Sequence, residues 1–258
     1  FLATPFGFAE LCIRVRAGER LLSIETRDVA IFAMAKLVES RDPETGAHLE
    51  RIRHYSRILT RELVKNGKHH QEIDAEFIHL IYLTSPLHDV GKIAIPDCIL
   101  LKAGRFSDNE FDMMKEHTVI GAAMLDGAIE QFPDVRFLRM AREIALSHHE
   151  QFDGKGYPFG LAGKAIPLSG RIVAFADVYD ALTSKRVYKE AFAHDVAKAI
   201  VLKERGKHFD PEIVDMFMRS EDKFTAVRAS SSEETASAAA QNHVTASVRK
   251  TSLVAASL

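Results

Sequence analysis

The chemistry-bearing residues of this chain gather in a few short stretches. The densest is Ser147 to Pro158, SHHEQFDGKGYP. Two histidines at the end of a helix project their imidazoles roughly a third of a turn apart, toward neighbouring points rather than one. Gly154 and Gly156 then allow a tight turn and close approach to a ligand, and Pro158 fixes the exit. A second stretch, PLHDVGKIAIPD at 86–97, sets His88 beside Asp89 with Lys92 one turn on. Burying such a pair is costly unless something compensates it, and a metal ion does, because neutral imidazole and carboxylate both donate to metals. Lys92 is then placed to face an anionic group.

Weaker signals join these. Glu44 and His48 stand four apart and share a helix face. His117 is followed four residues later by Gly121, which permits close helix approach. In the apolar stretch RIVAFADVYDAL, Asp177 lies among Ile172, Val173, Phe175 and Val178, with Asp180 one turn further on the same side. An unpaired carboxylate there needs a cation. Arg186 and Lys189 could form a basic fork for phosphate. Taken singly, most of these fit a solvated surface. Together, Glu44, His48, His88, Asp89, His117, His148, His149 and Asp177 supply five histidines and three carboxylates without a cysteine. Such a set suits two or three divalent ions, Fe or Mn above all, better than a structural zinc. Two ions about 3.5–4 Å apart can clamp both oxygens of an in-line phosphodiester displacement.

The elements that must position these residues are helical. Apolar positions recur at helical spacing through Ile24–Val38, His48–Leu63, 72–87, 107–125, 134–149, 169–184, 195–206 and 210–219. Asp42-Pro43 and Asp210-Pro211 read as caps, and Ser107 with Glu110 as a capping box. Alternating strand patterns are scarce, so the expectation is an all-α domain. The 258 residues are 47% hydrophobic and 27% charged, enough for one large core, and the formal net charge of −2 offers no field for duplex nucleic acid. Cys12 and Cys98 lack CxxC spacing, and no apolar run approaches membrane-spanning length. A reducing cytoplasm fits, with no membrane partner. From 225 the composition turns to Ala, Ser and Thr, and a disordered tail over 225–258 is expected.

The blocks PETGAHLERIRHYS, LHDVGKIAIPD, HTVIG, HHEQFDGKGYP, GLAGKAIPLSGRIVAFADVYDALTSKRVYKEA and KHFDP, in order over about 24–220, resemble the HD-GYP family, a branch of the HD metal-dependent phosphohydrolases. The resemblance implies an HD helical bundle with extension helices, and a cyclic di-GMP phosphodiesterase that forms pGpG and, in some members, GMP. It implies metal ligands at His88, Asp89, His117, His148, His149 and Asp177, with Asp89 bridging, and additional ligands Glu44 and His48 for a third ion. Asp89 and Lys92 would carry catalysis; Tyr157, Asp180, Arg186 and Lys189 would meet substrate. The family's usual Ala before Arg171 is Gly170 here, which should only loosen packing slightly. Residues 1–23 are similar to the close of a response-regulator receiver domain, which makes 24–224 the output domain. Besides cyclic di-GMP, a sensor kinase, diguanylate cyclase (GGDEF) proteins and a second copy paired through 24–40 are the candidate partners. A catalytically silent binding or interaction module is the alternative reading.

Overall fold

The structure, a computed structural model, describes residues 26–41, 47–67, 69, 72–184 and 190–231. Helix α1 covers 26–39, α2 Ala47–Lys65 and α3 Ala75–Thr84. Two 3-10 turns, Ser85–Leu87 and Val90–Ala94, lead into α4 (Asp97–Leu100), α5 (Asp108–Gln131) and α6 (Arg136–Ser147). After a long loop come α7 (Leu168–Thr183), α8 (His194–Lys203), α9 (Pro211–Met218) and α10 (221–231). Among the described residues there is no strand, only two isolated bridges. The architecture is all-α.

The caps account for where helices begin. Ser107 and Glu110 form the reciprocal capping box that opens α5, and Asp210 caps α9 with Pro211 in its first turn. Asp74 accepts from the Phe77 amide, so α3 starts at Ala75, later than the periodicity from Glu72 suggests. The expected cap at Asp42-Pro43 and the 1–23 segment lie outside the described residues.

α7 is the axis of the core. Ile172, Val173, Phe175, Ala176 and Tyr179 are buried on it, surrounded by Tyr55 and Leu59 of α2, Ile144 of α6 and Phe217 of α9. The composition change at 225 does not mark the end of the fold: α10 runs to 231, and the rest of the expected tail lies outside the described residues. Phe224 is fully buried and stacks on Tyr55 with ring centroids 4.5 Å apart, while Val227 packs against the same cluster. Burying one such side chain contributes about 1.5–3 kcal/mol, which is what holds an otherwise Ala/Ser-rich helix in place. Arg228 also donates to the Thr183 carbonyl at 2.8 Å, satisfying the C-terminal end of α7.

Two glycines permit the crossing that builds the site. A Cβ on Gly91 would stand 1.9 Å from the His117 carbonyl oxygen and 2.6 Å from the Gly121 nitrogen. A Cβ on Gly121 would meet the Gly91 nitrogen at 3.1 Å. The turn after Asp89 therefore lies directly on α5, backbone to backbone. Gly170 acts similarly: its Cβ would fall 2.0 Å from Ser147 Oγ. The expectation that this glycine merely loosens packing is corrected, because Ser147 fills the space an alanine would take.

The crossing yields a paired prediction. Gly91→Ala should destabilise the protein by at least about 1–3 kcal/mol through overpacking, and should lower metal content with it. Gly127→Ala on α5, where a Cβ meets nothing within 4 Å, should instead stabilise by about 0.5–1 kcal/mol. Denaturant unfolding of both variants checks this; equal effects would contradict the close-crossing account.

Candidate metal centre

Five imidazoles converge here, and four of them, from three helices and one turn, have Nδ1 engaged behind the ring. His88 Nδ1 is 2.9 Å from the Ser85 carbonyl, His117 Nδ1 2.6 Å from Met114 O, and His148 Nδ1 3.0 Å from Ile144 O. A carbonyl only accepts, so Nδ1 carries a proton in each ring, and whenever the ring is neutral Nε2 is left with its lone pair. The Nε2 atoms of His88, His117 and His148 are buried and make no hydrogen bond, and neither does Asp89 Oδ1. Aligned lone pairs left without donors in the interior are costly unless a cation meets them. This is the signature of a metal site, and the oxygen and nitrogen donor set, free of thiolate, fits divalent ions.

The donors form two adjoining groups. Asp89, His117, His148 and His149 offer ligand atoms within 4.8 Å of one another, and so do His48, His88 and Asp177. Asp89 reaches both: its Oδ1 lies 3.2 Å from His117 Nε2 and 3.6 Å from His148 Nε2, its Oδ2 3.3 Å from His88 Nε2. Asp177 Oδ1 stands 3.7 Å from His48 Nε2 and 4.0 Å from His88 Nε2. Lys92 Nζ is 2.8 Å from Asp89 Oδ2.

Charge follows this geometry. Burial opposes ionisation of Asp89, yet Lys92 and His88 hold its carboxyl well below the usual range. Burial keeps His148 lowered and, with His148 and His117 beside it, His149 well lowered, so both rings are neutral donors. Burial also disfavours charge on His88, but the adjacent Asp89 outweighs it and raises the ring to about 9. A proton there occupies the place a cation would take, since metal binding displaces protons from its ligands.

The loop after α6 folds back over these rings. Glu150 is buried and accepts from the Phe159 and Leu161 amides at 2.8 and 3.0 Å, and the Tyr157 amide donates to the His149 carbonyl. The close return depends on Gly156, whose Cβ would lie 2.2 Å from the Gln151 nitrogen. Tyr157 is thereby stacked on His149, centroids 4.7 Å apart. Burial, and then Asp89 and Asp177, push its hydroxyl pKa up, so it stays a donor. The Phe152 and Asp153 amides donate to the His208 and Lys207 carbonyls, which ties the loop to the KHFDP stretch.

Glu44, Arg186 and Lys189 lie outside the described residues. Asp180 is placed differently from the expectation that it meets substrate. It is 1% exposed, and both oxygens are consumed: Oδ1 accepts from Arg51 Nε at 2.5 Å, and Oδ2 from Arg51 Nη2 at 2.9 Å and His48 Nδ1 at 2.7 Å. Burial works against its charge, but the Arg51 and His48 hydrogen bonds hold it down at about 2. Asp180 is a positioning residue that orients the His48 ring. Sequence reasoning also missed Arg51 and the role of Glu150. It missed Arg41, whose guanidinium donates to the Ile93 and Ile95 carbonyls and pairs with Asp97 at 2.6 Å, bracing the turn that carries Lys92. Arg51 was discoverable, being an arginine three residues after His48 on a buried helix face.

The sequence profile of the HD domain family matches residues 33–213. The chain belongs to the HD domain family. This HD domain is similar to a cyclic di-GMP phosphodiesterase of Vibrio cholerae serotype O1, 52% identical over 204 residues that cover 79% of this chain and 42% of that protein. It is also similar to the cyclic di-GMP phosphodiesterase response regulator RpfG of Xanthomonas campestris pv. campestris, 42% identical over 213 residues, 78% of this chain and 53% of the relative. A solved cyclic GMP-AMP-specific phosphodiesterase of V. cholerae shares the fold, with a TM-score of 0.52 at 19% identity over 77% of this chain and 49% of that one. The chain spans about half the length of these relatives.

Asp180→Asn should test the positioning assignment. Removing one partner of the buried pair leaves Arg51 uncompensated and should cost about 3–5 kcal/mol in unfolding experiments. Metal affinity should fall roughly 10–100-fold, as for other groups that orient a ligating histidine. Wild-type stability and affinity would contradict the assignment.

Proposed function

We propose that this HD domain is a metal-dependent phosphodiesterase of the HD-GYP type, opening cyclic di-GMP at a 3′–5′ phosphodiester to give linear pGpG, with GMP as the product of any second cut. The observation that carries this reading is the pair of adjoining ligand groups joined through Asp89, with an ammonium at Asp89 Oδ2. The names of the relatives agree with it.

Ions held by His48, His88, Asp89, His117, His148, His149 and Asp177 would supply the charge neutralisation, and the acidified water, that hydrolysis of a phosphodiester requires. Asp89 is ionised and fixed, so it can span both groups. Lys92, beside it, presents its charge to the scissile phosphate and stabilises the extra negative charge that builds up as the bond breaks. Tyr157 closes one wall and shields the reacting phosphate from bulk water. Arg186 and Lys189 are proposed to grip the phosphates, Glu44 to complete a third ligand group, and Fe or Mn to be the resident ions. No serine or cysteine nucleophile is needed.

The receiver-like segment and the likeness to RpfG support an output role in a two-component response regulator, driven by a sensor kinase. Among the described residues no helix is long and apolar enough to cross a membrane.

The test is hydrolysis of cyclic di-GMP by the full chain purified without oxygen, with metal content measured on the same sample. Wild type should turn over with two or three Fe or Mn ions per chain, and Asp89→Asn should bring kcat to background. Full metal occupancy without turnover would favour the silent module; turnover retained by Asp89→Asn would sink the metal mechanism.

A further inference from the structure

We propose that Phe111 of α5 is the outer wall of the substrate pocket, an aromatic face on which one purine base of the dinucleotide stacks, with Lys115 as the cation beside it. The inference rests on the phosphodiesterase reading above and extends it to residues that no ligand motif includes.

The observation behind it is an unbroken line of rings leading outward from the metal centre. His149, a candidate ligand, stacks on Tyr157 at 4.7 Å and 28°. Tyr157 meets Phe111 edge-on, centroids 6.1 Å apart at 81°. Phe111 remains 45% exposed and belongs to none of the three buried apolar clusters among the described residues. The structure leaves it open to solvent on one side and against Tyr157 on the other. A partly exposed ring beside a catalytic centre offers a sequence-tolerant stacking platform for a nucleobase. Phe111 and His117 share one helix, and the Gly91–Gly121 crossing clamps that helix against Asp89, so the ring is rigidly referenced to the ligands.

Lys115 supplies charge at the same place. Its Nζ lies 5.0 Å from the Phe111 centroid and 5.9 Å from that of Tyr157, within range of a cation–π contact. Its carboxylate partner is Asp112, one turn back and 68% exposed, a surface pair that holds it only weakly. An arriving base can displace the ammonium from the ring while the positive charge stays next to the bound anion. Lys92 inside and Lys115 outside then bracket the nucleotide.

Phe111→Ala and Phe111→Leu should each raise KM for cyclic di-GMP roughly tenfold, the loss expected for one base–aromatic stack, with kcat changing less. Phe111→Trp should stay near wild type. Metal content and melting temperature should be unchanged in all three, whereas a ring that only props Tyr157 would move those and kcat together. Because the chain contains no tryptophan, Phe111→Trp also introduces a single reporter, whose emission should be quenched by cyclic di-GMP and pGpG but not by inorganic phosphate. KM within twofold of wild type in the Ala and Leu variants would overturn the stacking role while leaving the activity standing, and so would unchanged Trp emission at saturating substrate. Quenching by cyclic di-GMP in a chain that never hydrolyses it would uphold the stack and sink the phosphodiesterase reading.

Discussion

The site depends on a hydrogen bond made, in four of its five imidazoles, on the side of the ring that faces away from it. His88, His117 and His148 give their Nδ1 protons to main-chain carbonyls three or four residues earlier, and His48 gives its own to Asp180. Those acceptors cannot donate, so one tautomer survives and Nε2 points inward from every direction. Helical backbone geometry does this work locally: the carbonyl three or four residues back lies within reach of Nδ1 in His117 within α5 and in His88 and His148 just past a helical turn. The rings are therefore preorganised before any ion arrives, and the cost of burying bare lone pairs is carried by a fold that has a large apolar core elsewhere.

That preorganisation is linked to packing. The Asp89 turn can approach His117 only because Gly91 and Gly121 have no side chains to keep the backbones apart. On the opposite side, the Arg51–Asp180 pair fixes His48 and joins α2 to α7, the helix around which the core is arranged. Glu150 does the equivalent for the loop that carries Tyr157. Charges that are buried here are thus paired either with each other or with main-chain donors, and the donors left over are those that face the metal position.

Much of this was legible in the residues. Helical spacing and caps predicted the all-α class and most helix positions, since amphipathic periodicity and an Asp or Ser before it are local properties of the chain. The gathering of His48, His88, Asp89, His117, His148, His149 and Asp177 was legible only as a set, since most of these residues taken singly also fit a solvated surface. What stayed hidden depends on three-dimensional neighbours. Asp180 has the same spacing as a ligand, and only the position of Arg51 shows that both its oxygens are taken. Gly170 looked like a trivial change until Ser147 was seen to occupy the missing methyl's place. Residues 225–231 have the composition of a tail, but Phe224 and Val227 anchor them to the core.

The central claim is that hydrogen bonds behind four of the five rings, three to main-chain carbonyls and one to Asp180, select the nitrogen those histidines offer to a metal. Long-range proton–nitrogen NMR on nitrogen-15 histidine-labelled protein, loaded with diamagnetic Zn²⁺, reads this directly. The account predicts that His48, His88, His117 and His148 each keep a proton on Nδ1 and bind through Nε2. Coordination through Nδ1 at any of the three carbonyl-bonded rings, or rings that titrate freely in the loaded protein, would contradict it.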